Sequence, residues 1–432
     1  MSYALPRRAV LVAAALVAAA APPRAARAQE TSRGAYLAIA GDCVVCHTMS
    51  EGAPFAGGLK MATPLGAIYS PNITPDADTG IGGWSYEDFD GALRKGVSKD
   101  GRRLYPAMPY PSYAQITDED SRALFEYFSK EAKPVHQLNT RNEIAPPWNA
   151  RWPLAVWNLV GAGSPFRANA AFDEEWNRGA YLVQGLGHCG ACHTPRGALF
   201  QEKAMTAEDG AFLAGANLDN WSSPNLRGDL NTGLGRWTTA ETVEFLKTGH
   251  NIHGAAFGAM RDVVAYSTGN MNDADLAAMA KYLSSLPPSI DRKQPLWVED
   301  SRDAAALAAG KSDRPGAATY LRQCASCHGA DGKGGGGLPP LAGNAAVLDP
   351  DATSIVNIAL NGAPALEVAE GEYGDAMPQF RTFLDDRAMA DVATFIRSTW
   401  GNRAGPVLPG DVAALRKATV AGEDHAIIRQ MR

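Results

Sequence analysis

The chain has 432 residues, a formal net charge of −6, and 46% hydrophobic against 20% charged residues. That length suits about three domains. The acidic balance excludes a nucleic-acid-binding class, and no apolar run reaches the ~20 residues that a membrane-spanning helix needs.

At the N-terminus, Arg7 and Arg8 form a basic segment and Ala9 to Ala21 a short apolar run. Ala26-Arg27-Ala28 closes a small-residue cleavage site, so residues 1–28 read as a signal peptide and Gln29 as the mature start. That segment holds Arg7, Arg8, Arg24 and Arg27 and no acid, so its removal takes the charge from −6 to −10.

Next comes Arg33-Gly-Ala-Tyr-Leu37, which predicts a short helix, and directly after it Cys43-Val-Val-Cys46-His47. Ser70-Pro-Asn72, Thr79-Gly-Ile-Gly-Gly-Trp84 and Pro106-Ala-Met108-Pro109 follow. Thr117-Asp118-Glu119-Asp120 then starts a helix whose Leu124, Phe125 and Phe128 fall on one face. Residues 129–175, rich in proline and tryptophan, read as a linker.

The order then repeats. Arg178-Gly-Ala-Tyr-Leu182 leads into Cys189-Gly-Ala-Cys192-His193, and Ser223-Pro-Asn225 precedes Thr232-Gly-Leu-Gly-Arg-Trp237. Asn72 and Asn225, like Trp84 and Trp237, lie 153 positions apart, the register of a duplicated domain. Asn272-Asp273-Ala-Asp275 starts the closing helix with Leu276, Met279, Tyr282 and Leu283. After a second linker at 287–313, a looser copy runs from Gly316-Ala-Ala-Thr-Tyr320-Leu321 through Cys324-Ala-Ser-Cys327-His328 to Asp375-Ala-Met377-Pro378. Its closing helix begins at Asp385-Asp386 and carries Met389, Val392, Phe395 and Ile396. It lacks the asparagine–tryptophan block and has Pro339-Pro-Leu-Ala-Gly-Asn344 instead. The glycine run 334–337 lacks the ending of a phosphate loop. The tail after Gly401 is polar with a weak helical pattern and is given no function.

All six cysteines fall in the three C-x-x-C-H pentapeptides. The pattern reads as covalent haem attachment, with Cys43, Cys46, Cys189, Cys192, Cys324 and Cys327 forming thioethers and His47, His193 and His328 as proximal iron ligands. A thioredoxin-like pair would want a βαβ setting, three units cannot pair evenly into four-ligand zinc sites, and a disulfide framework leaves the repeated histidine unexplained. Three haem c groups per chain imply electron transfer outside the cytoplasm. The general secretory route is preferred over a twin-arginine one, because thioether attachment favours an unfolded exported chain.

An electron-shuttling haem has both axial positions filled, and methionine opposite histidine raises its potential. Met108 and Met377 sit on proline-stiffened loops before the closing helices. In the second module Met260, Met271, His250 and His253 compete. Met260 lies 152 positions after Met108, close to the duplication register, while Met271 suits packing. Met49, Met61, Met205, Met279 and Met389 read as space-fillers, and His188 as a loop residue; His136 and His425 give no signal. Asn72 and Asn225 suit either a propionate or axial-sulfur contact or a structural turn, and Trp84 and Trp237 either a haem edge or a packed indole. No catalytic constellation stands out.

The expected fold is all-α: three tandem class I cytochrome c domains joined by irregular linkers, at 30–140, 172–288 and 313–402, with a tail at 403–432. Covalent haem offsets the small core of each.

These residues resemble the three-haem cytochrome c subunits of bacterial membrane-bound dehydrogenases, the cytochrome subunits of quinoprotein alcohol dehydrogenase and of gluconate, sorbitol and fructose dehydrogenases. The most specific pieces are Tyr69-Ser-Pro-Asn-Ile-Thr-Pro75, Leu104-Tyr-Pro-Ala-Met-Pro-Tyr-Pro111, Gly187-His-Cys-Gly-Ala-Cys-His-Thr-Pro-Arg-Gly197 and Val263-Val-Ala-Tyr-Ser-Thr268. Pro340-Leu-Ala-Gly-Asn344 and Thr399-Trp-Gly-Asn402 add to them. The resemblance implies Met108, Met260 and Met377 as distal ligands. It also implies a large flavin- or pyrroloquinoline-quinone-dependent dehydrogenase subunit as partner, optionally a small third subunit, and ubiquinone as acceptor. Location would be periplasmic, on the outer face of the cytoplasmic membrane, with Trp152 to Val160 as a partner or membrane contact or a buried linker. A free periplasmic carrier and a haem peroxidase are the competing functions.

Overall fold

The computed structural model describes residues 31–63, 65–289, 295–368, 371–373 and 376–419. The signal-peptide segment 1–28 and His425 lie outside them.

Each module is built on a crossing of its opening and closing helices. The opening helices are Arg33–Ala40, Glu174–Tyr181 and Ala317–Gln323; the closing ones are Asp118–Glu126, Asp273–Ser284 and Asp386–Arg397. The closing helices start where local chemistry puts them. The Thr117 hydroxyl, the Asn272 amide oxygen and the Asp385 carboxylate each accept a backbone N–H from three residues on, satisfying one of the unpaired donors of a first turn. At each crossing stands a glycine of the repeated opening segment. A Cβ would lie 2.1 Å from the Ala123 carbonyl oxygen at Gly34, 1.9 Å from that of Ala278 at Gly179, and 2.3 Å from that of Asp391 at Gly316. Only a residue without a side chain lets the two backbones touch.

The all-α expectation is corrected: 40% of the described residues are helical and 9% are strand. Lys60–Thr63 pairs antiparallel with Gly66–Tyr69, and Gly66–Ala67 pairs onward with Glu143–Ile144 to make a three-stranded sheet. Ala216–Leu218 pairs with Trp221–Ser223, His250–Asn251 with Gly254–Ala255, and Leu366–Val368 with Gly371–Tyr373. Runs of two to four residues are too short to show alternation, which hides them in a sequence. The Ala216 hairpin closes through Asp219 and Asn220, at φ 49° and 62°. Asp and Asn tolerate that left-handed region, and such a two-residue turn matches the strand twist. The linkers are not irregular either. The first carries Glu143–Ile144 and the helix Pro153–Gly161, the second the helix Ser301–Ala308. The tail folds as Pro409–Ala418, burying Val412 and Leu415 beside the third closing helix.

The first two modules share one apolar core, in which Leu37, Tyr113, Ile116, Leu124 and Phe128 of the first meet Tyr181, Val183, Leu186, Leu276 and Tyr282 of the second. Across this seam the modules trade identical groups. Arg33 Nε donates to Asp120 within module one and Arg178 Nε to Asp275 within module two, both at 2.8 Å. Tyr36 of module one donates to the Asp275 carboxylate and Tyr181 of module two to the Asp120 carboxylate, both at 2.6 Å. Tyr36 and Tyr181 are the same residue of the repeat, so the seam has the reciprocal form of a two-fold dimer interface. Burial opposes charge on Asp275, but the bonds from Arg178 and Tyr36 outweigh it and hold the carboxyl below its ordinary range.

Module three keeps its own core around Tyr320, Val356, Leu360, Met389, Phe395 and Trp400. It meets module two through a small cluster of Ala256, Val264 and Leu366 and through hydrogen bonds. Ser354 accepts from the Ser222 amide and donates to its carbonyl, both at 2.9 Å, and Arg261 donates to the carbonyls of Pro364 and Ala365 at 2.6 Å. No helix among the described residues is long and apolar enough to cross a membrane.

Candidate haem sites

Each C-x-x-C-H unit folds as one helical turn. The histidine amide donates to the carbonyl of the first cysteine at 3.0 Å in His47 and His193 and 2.9 Å in His328. One turn brings side chains three and four residues apart to the same side, so two sulfurs and an imidazole face one space.

What fixes each imidazole is a proline carbonyl. Nδ1 lies 2.8 Å from the Pro71 oxygen in His47, 2.7 Å from Pro224 in His193 and 3.0 Å from Pro339 in His328. A carbonyl only accepts, so Nδ1 carries the proton and donates, and Nε2 is left with its lone pair. Burial lowers the pKa of all three histidines, which keeps the rings neutral. A neutral imidazole oriented through its other nitrogen is the usual form of a metal-ligating histidine.

Five of the six cysteines are chemically quiet. None is in a disulfide. Burial pushes the thiols of Cys43, Cys46, Cys189 and Cys324 up to about 12 and that of Cys192 up to about 11. Thiolate nucleophiles and zinc-ligating cysteines need the opposite environment. Among the described residues no group of three or more His, Cys, Asp or Glu side chains is placed to hold a metal ion.

In module two, Cys189, Cys192, His193 and Met260 line one cavity with Trp237, Phe245, Met271 and Met279. Its empty space, including the open mouth, is about 1660 Å³. Apolar walls, two thiols and a lone-pair imidazole suit a flat apolar macrocycle with a central metal, so the residues present fit a covalent haem. Met260 opens the helix Met260–Tyr266, and Met271 is buried at the foot of the closing helix. His253 stacks on Trp237, with centroids 5.1 Å apart, and its Nε2 lies 3.3 Å from a Glu241 carboxylate oxygen. His250 is paired in its two-residue strand and does not line the cavity.

In the other modules, cysteine and methionine share an apolar cluster: Cys43 and Met108 pack on the core of modules one and two, and Cys324 and Met377 on that of module three. The Met377 backbone is held by two hydrogen bonds with Ala363, at 2.7 and 2.9 Å. Ala40 and Asp42 of module one and Asn344, Ala345, Ala346 and Ser354 of module three also line the cavity of module two, which therefore lies between the others. Asn344 Nδ2 donates to the His253 carbonyl at 3.2 Å across that boundary.

The two repeated asparagines form structural turns. Asn72 accepts from the Thr74 amide at 2.9 Å and donates to the Val135 carbonyl at 2.8 Å; Asn225 accepts from the Arg227 amide at 2.7 Å and donates to Asp229 at 2.6 Å. Trp84 packs on the core of modules one and two, while Trp237 lines the cavity. His188, at φ 37°, lines the cavity and meets the Tyr113 ring edge-on at 5.6 Å, a module contact that a loop assignment misses. The three prolines were also missed. The Ser-Pro-Asn repeat was visible, but a main-chain acceptor leaves no side-chain signature.

A family model described as cytochrome c matches residues 31–130, 177–287 and 314–400. The chain is 48% identical over 396 residues to the gluconate 2-dehydrogenase cytochrome c subunit of Pantoea cypripedii, covering 89% of both chains. It is 47% identical over 390 residues to the cytochrome c subunit of the quinone alcohol dehydrogenase of Gluconobacter oxydans (strain 621H), covering 89% of this chain and 81% of that one. To the fructose dehydrogenase cytochrome subunit of Gluconobacter japonicus it is 35% identical over 416 residues, covering 91% and 84%.

Proposed function

The chain belongs to the cytochrome c family, and on that premise we propose that it is the electron-transfer subunit of a dehydrogenase complex of the gluconate, polyol or alcohol type. Segments 30–140, 172–288 and 313–402 each carry one covalent haem c. The observation that carries this reading is the thrice-repeated clamp: one helical turn presenting two sulfurs, and an imidazole fixed through Nδ1 by a proline carbonyl.

When bound, the haem iron supplies one-electron chemistry. The chain's own residues do the rest. Cys43, Cys46, Cys189, Cys192, Cys324 and Cys327 attach the groups. His47, His193 and His328 would ligate the iron through Nε2, and Met108, Met260 and Met377 would add a thioether sulfur as second ligand. The apolar walls exclude water and keep competing ligands out. Module two, lined from both neighbours, relays between the ends. Electrons enter from a flavin- or quinone-bearing catalytic subunit and leave to ubiquinone.

Residues 1–28 direct export, and the subunit works in the periplasm against the outer face of the cytoplasmic membrane. The helix Pro153–Gly161 supports a surface contact there: it holds no charge, and Trp152 and Leu159 are 74% and 83% exposed. The buried-linker alternative is not what this geometry favours. Trp157 alone of the segment's indoles is tucked in, donating to the Leu199 carbonyl at 2.8 Å.

The test is to isolate the native complex and count haem per chain by pyridine haemochrome and mass. Three acid-stable haems, a large dehydrogenase chain co-purifying, and α-bands reduced by an aldonate, polyol or alcohol are expected. A chain that purifies alone would favour the free carrier, and ferric spectra that respond to cyanide would favour the peroxidase. Met260→Leu should abolish the sulfur-to-iron charge-transfer band of one haem in three; an unchanged band would remove Met260 from the ligand set.

A further inference from the structure

Module two holds a buried carboxylate that electron relay as described above does not use. Glu202 packs against Gly190, between the two cysteines of the pentapeptide. Its Oε2 is shut off from solvent and has no hydrogen-bond partner, and its side chain is 8% exposed. Room for it is made by the sequence: a Cβ at Gly190 would lie 2.4 Å from Oε2, and module one carries Val44 at that place in its pentapeptide. The segment after the module-one pentapeptide offers only the exposed Glu51.

The charged groups facing Glu202 are few. Arg196, paired with it in a two-residue bridge, brings Nη1 to 3.9 Å from Oε1, too far for a hydrogen bond. Arg196 is committed elsewhere, donating to the Ala191 carbonyl between the two cysteines and to the Phe200 carbonyl at 3.3 Å. From the pentapeptide turn, Cys189 and Cys192 sense the Glu202 charge, and both become uncharged thioethers on haem attachment. Asp219, on the following hairpin, acts on Cys192. Lys203, next in sequence, is exposed.

We propose that Glu202 is a redox-linked proton acceptor that tunes the reduction potential of the haem held by Cys189, Cys192 and His193. This rests on the haem assignment given above. One electron from the dehydrogenase lowers the local positive charge by one, and Glu202 answers by taking one proton from solvent, turning carboxylate into carboxyl. The proton leaves when the electron moves on, and no other bond changes. The site is set for this near neutrality, since burial pushes the Glu202 carboxyl up to about 7 against the pull of Arg196.

The experiment is spectropotentiometry of the three-haem protein from pH 5.5 to 8.5. One of three midpoint potentials should fall as pH rises between about 6 and 8, at up to about 59 mV per unit, the one-electron equivalent of a tenfold change. Glu202→Gln should flatten that slope and remove a carboxyl C=O band from the reduced-minus-oxidised infrared spectrum, with the other two potentials unmoved. Arg196→Gln should shift the sloping window to higher pH, because losing the cation favours the neutral acid. Three flat potentials in the unaltered protein, or a slope that survives Glu202→Gln, would overturn the proposal. If Glu202→Gln fails to hold three haems, the Arg196→Gln window decides, and no shift rejects the role. A haem count below three sinks the underlying assignment instead.

Discussion

The seam between modules one and two and the seam between modules two and three join similar units by different means. The first is a shared apolar core pinned by two buried aspartates, each receiving an arginine of its own module and a tyrosine of the other. The second is a smaller apolar cluster, three buried residues with Phe245, Met260, Ala265 and Val368 packed on them, bordered by hydrogen bonds to main-chain groups. Burying large apolar surface binds two modules into one cooperative unit, whereas a mostly polar boundary leaves each side its own stability. Modules one and two should therefore unfold together and module three separately.

The strongest way to break this comparison is at the helix crossings. Gly179→Val places a side chain into the Ala278 carbonyl and should cost about 3 kcal/mol or more. Calorimetry should show the transition of modules one and two falling while that of module three holds. Gly316→Val should do the reverse, and a single merged transition in both variants would dissolve the distinction. Asp275→Asn comes next. It leaves Arg178 without its counter-charge and weakens the Tyr36 bond, at about 2 kcal/mol, less than for a fully buried pair because Arg178 is a third exposed. Urea titration followed by tryptophan fluorescence measures it, and the loss should appear in the first-seam transition only.

Acid sharpens the contrast more gently. The folded-state pKa of Asp275 is lowered, so its stabilisation is whole above the ordinary carboxylate pKa of about 4 and is lost as pH falls below it. Melting curves at pH 7 and pH 3.5 should show the first-seam transition dropping more than in Asp275→Asn, where that dependence is already gone. The smallest effect is expected at the polar boundary. Ser354→Ala removes a paired donor and acceptor at about 1 kcal/mol, and limited proteolysis should then cut residues 287–313 faster with the first two modules intact.

What could be read beforehand follows the range of the forces. Caps at Thr117, Asn272 and Asp385 act over three residues and were legible, as were the duplication and the pentapeptides. The hairpins were not, because strands of two to four residues are specified by turn geometry at places such as Asp219-Asn220 rather than by alternation. Tyr36 and Tyr181 read only as matching positions of a repeated short helix. Their trade across the seam joins positions 239 and 61 residues apart, and no local pattern encodes it. Glu202 was passed over because a glutamate in a loop normally meets water. Only the glycine at 190 that makes space for it hinted otherwise.

A tyrosine-for-aspartate exchange between matching positions is the contact two copies of one ancestral chain would make with each other. Here both copies lie on one polypeptide, so their encounter has an effective concentration set by the linker and not by abundance. Two modules joined by such a seam keep their separation at any dilution. Each half is also free to drift from its twin, one keeping valine where the other opened a niche for an acid.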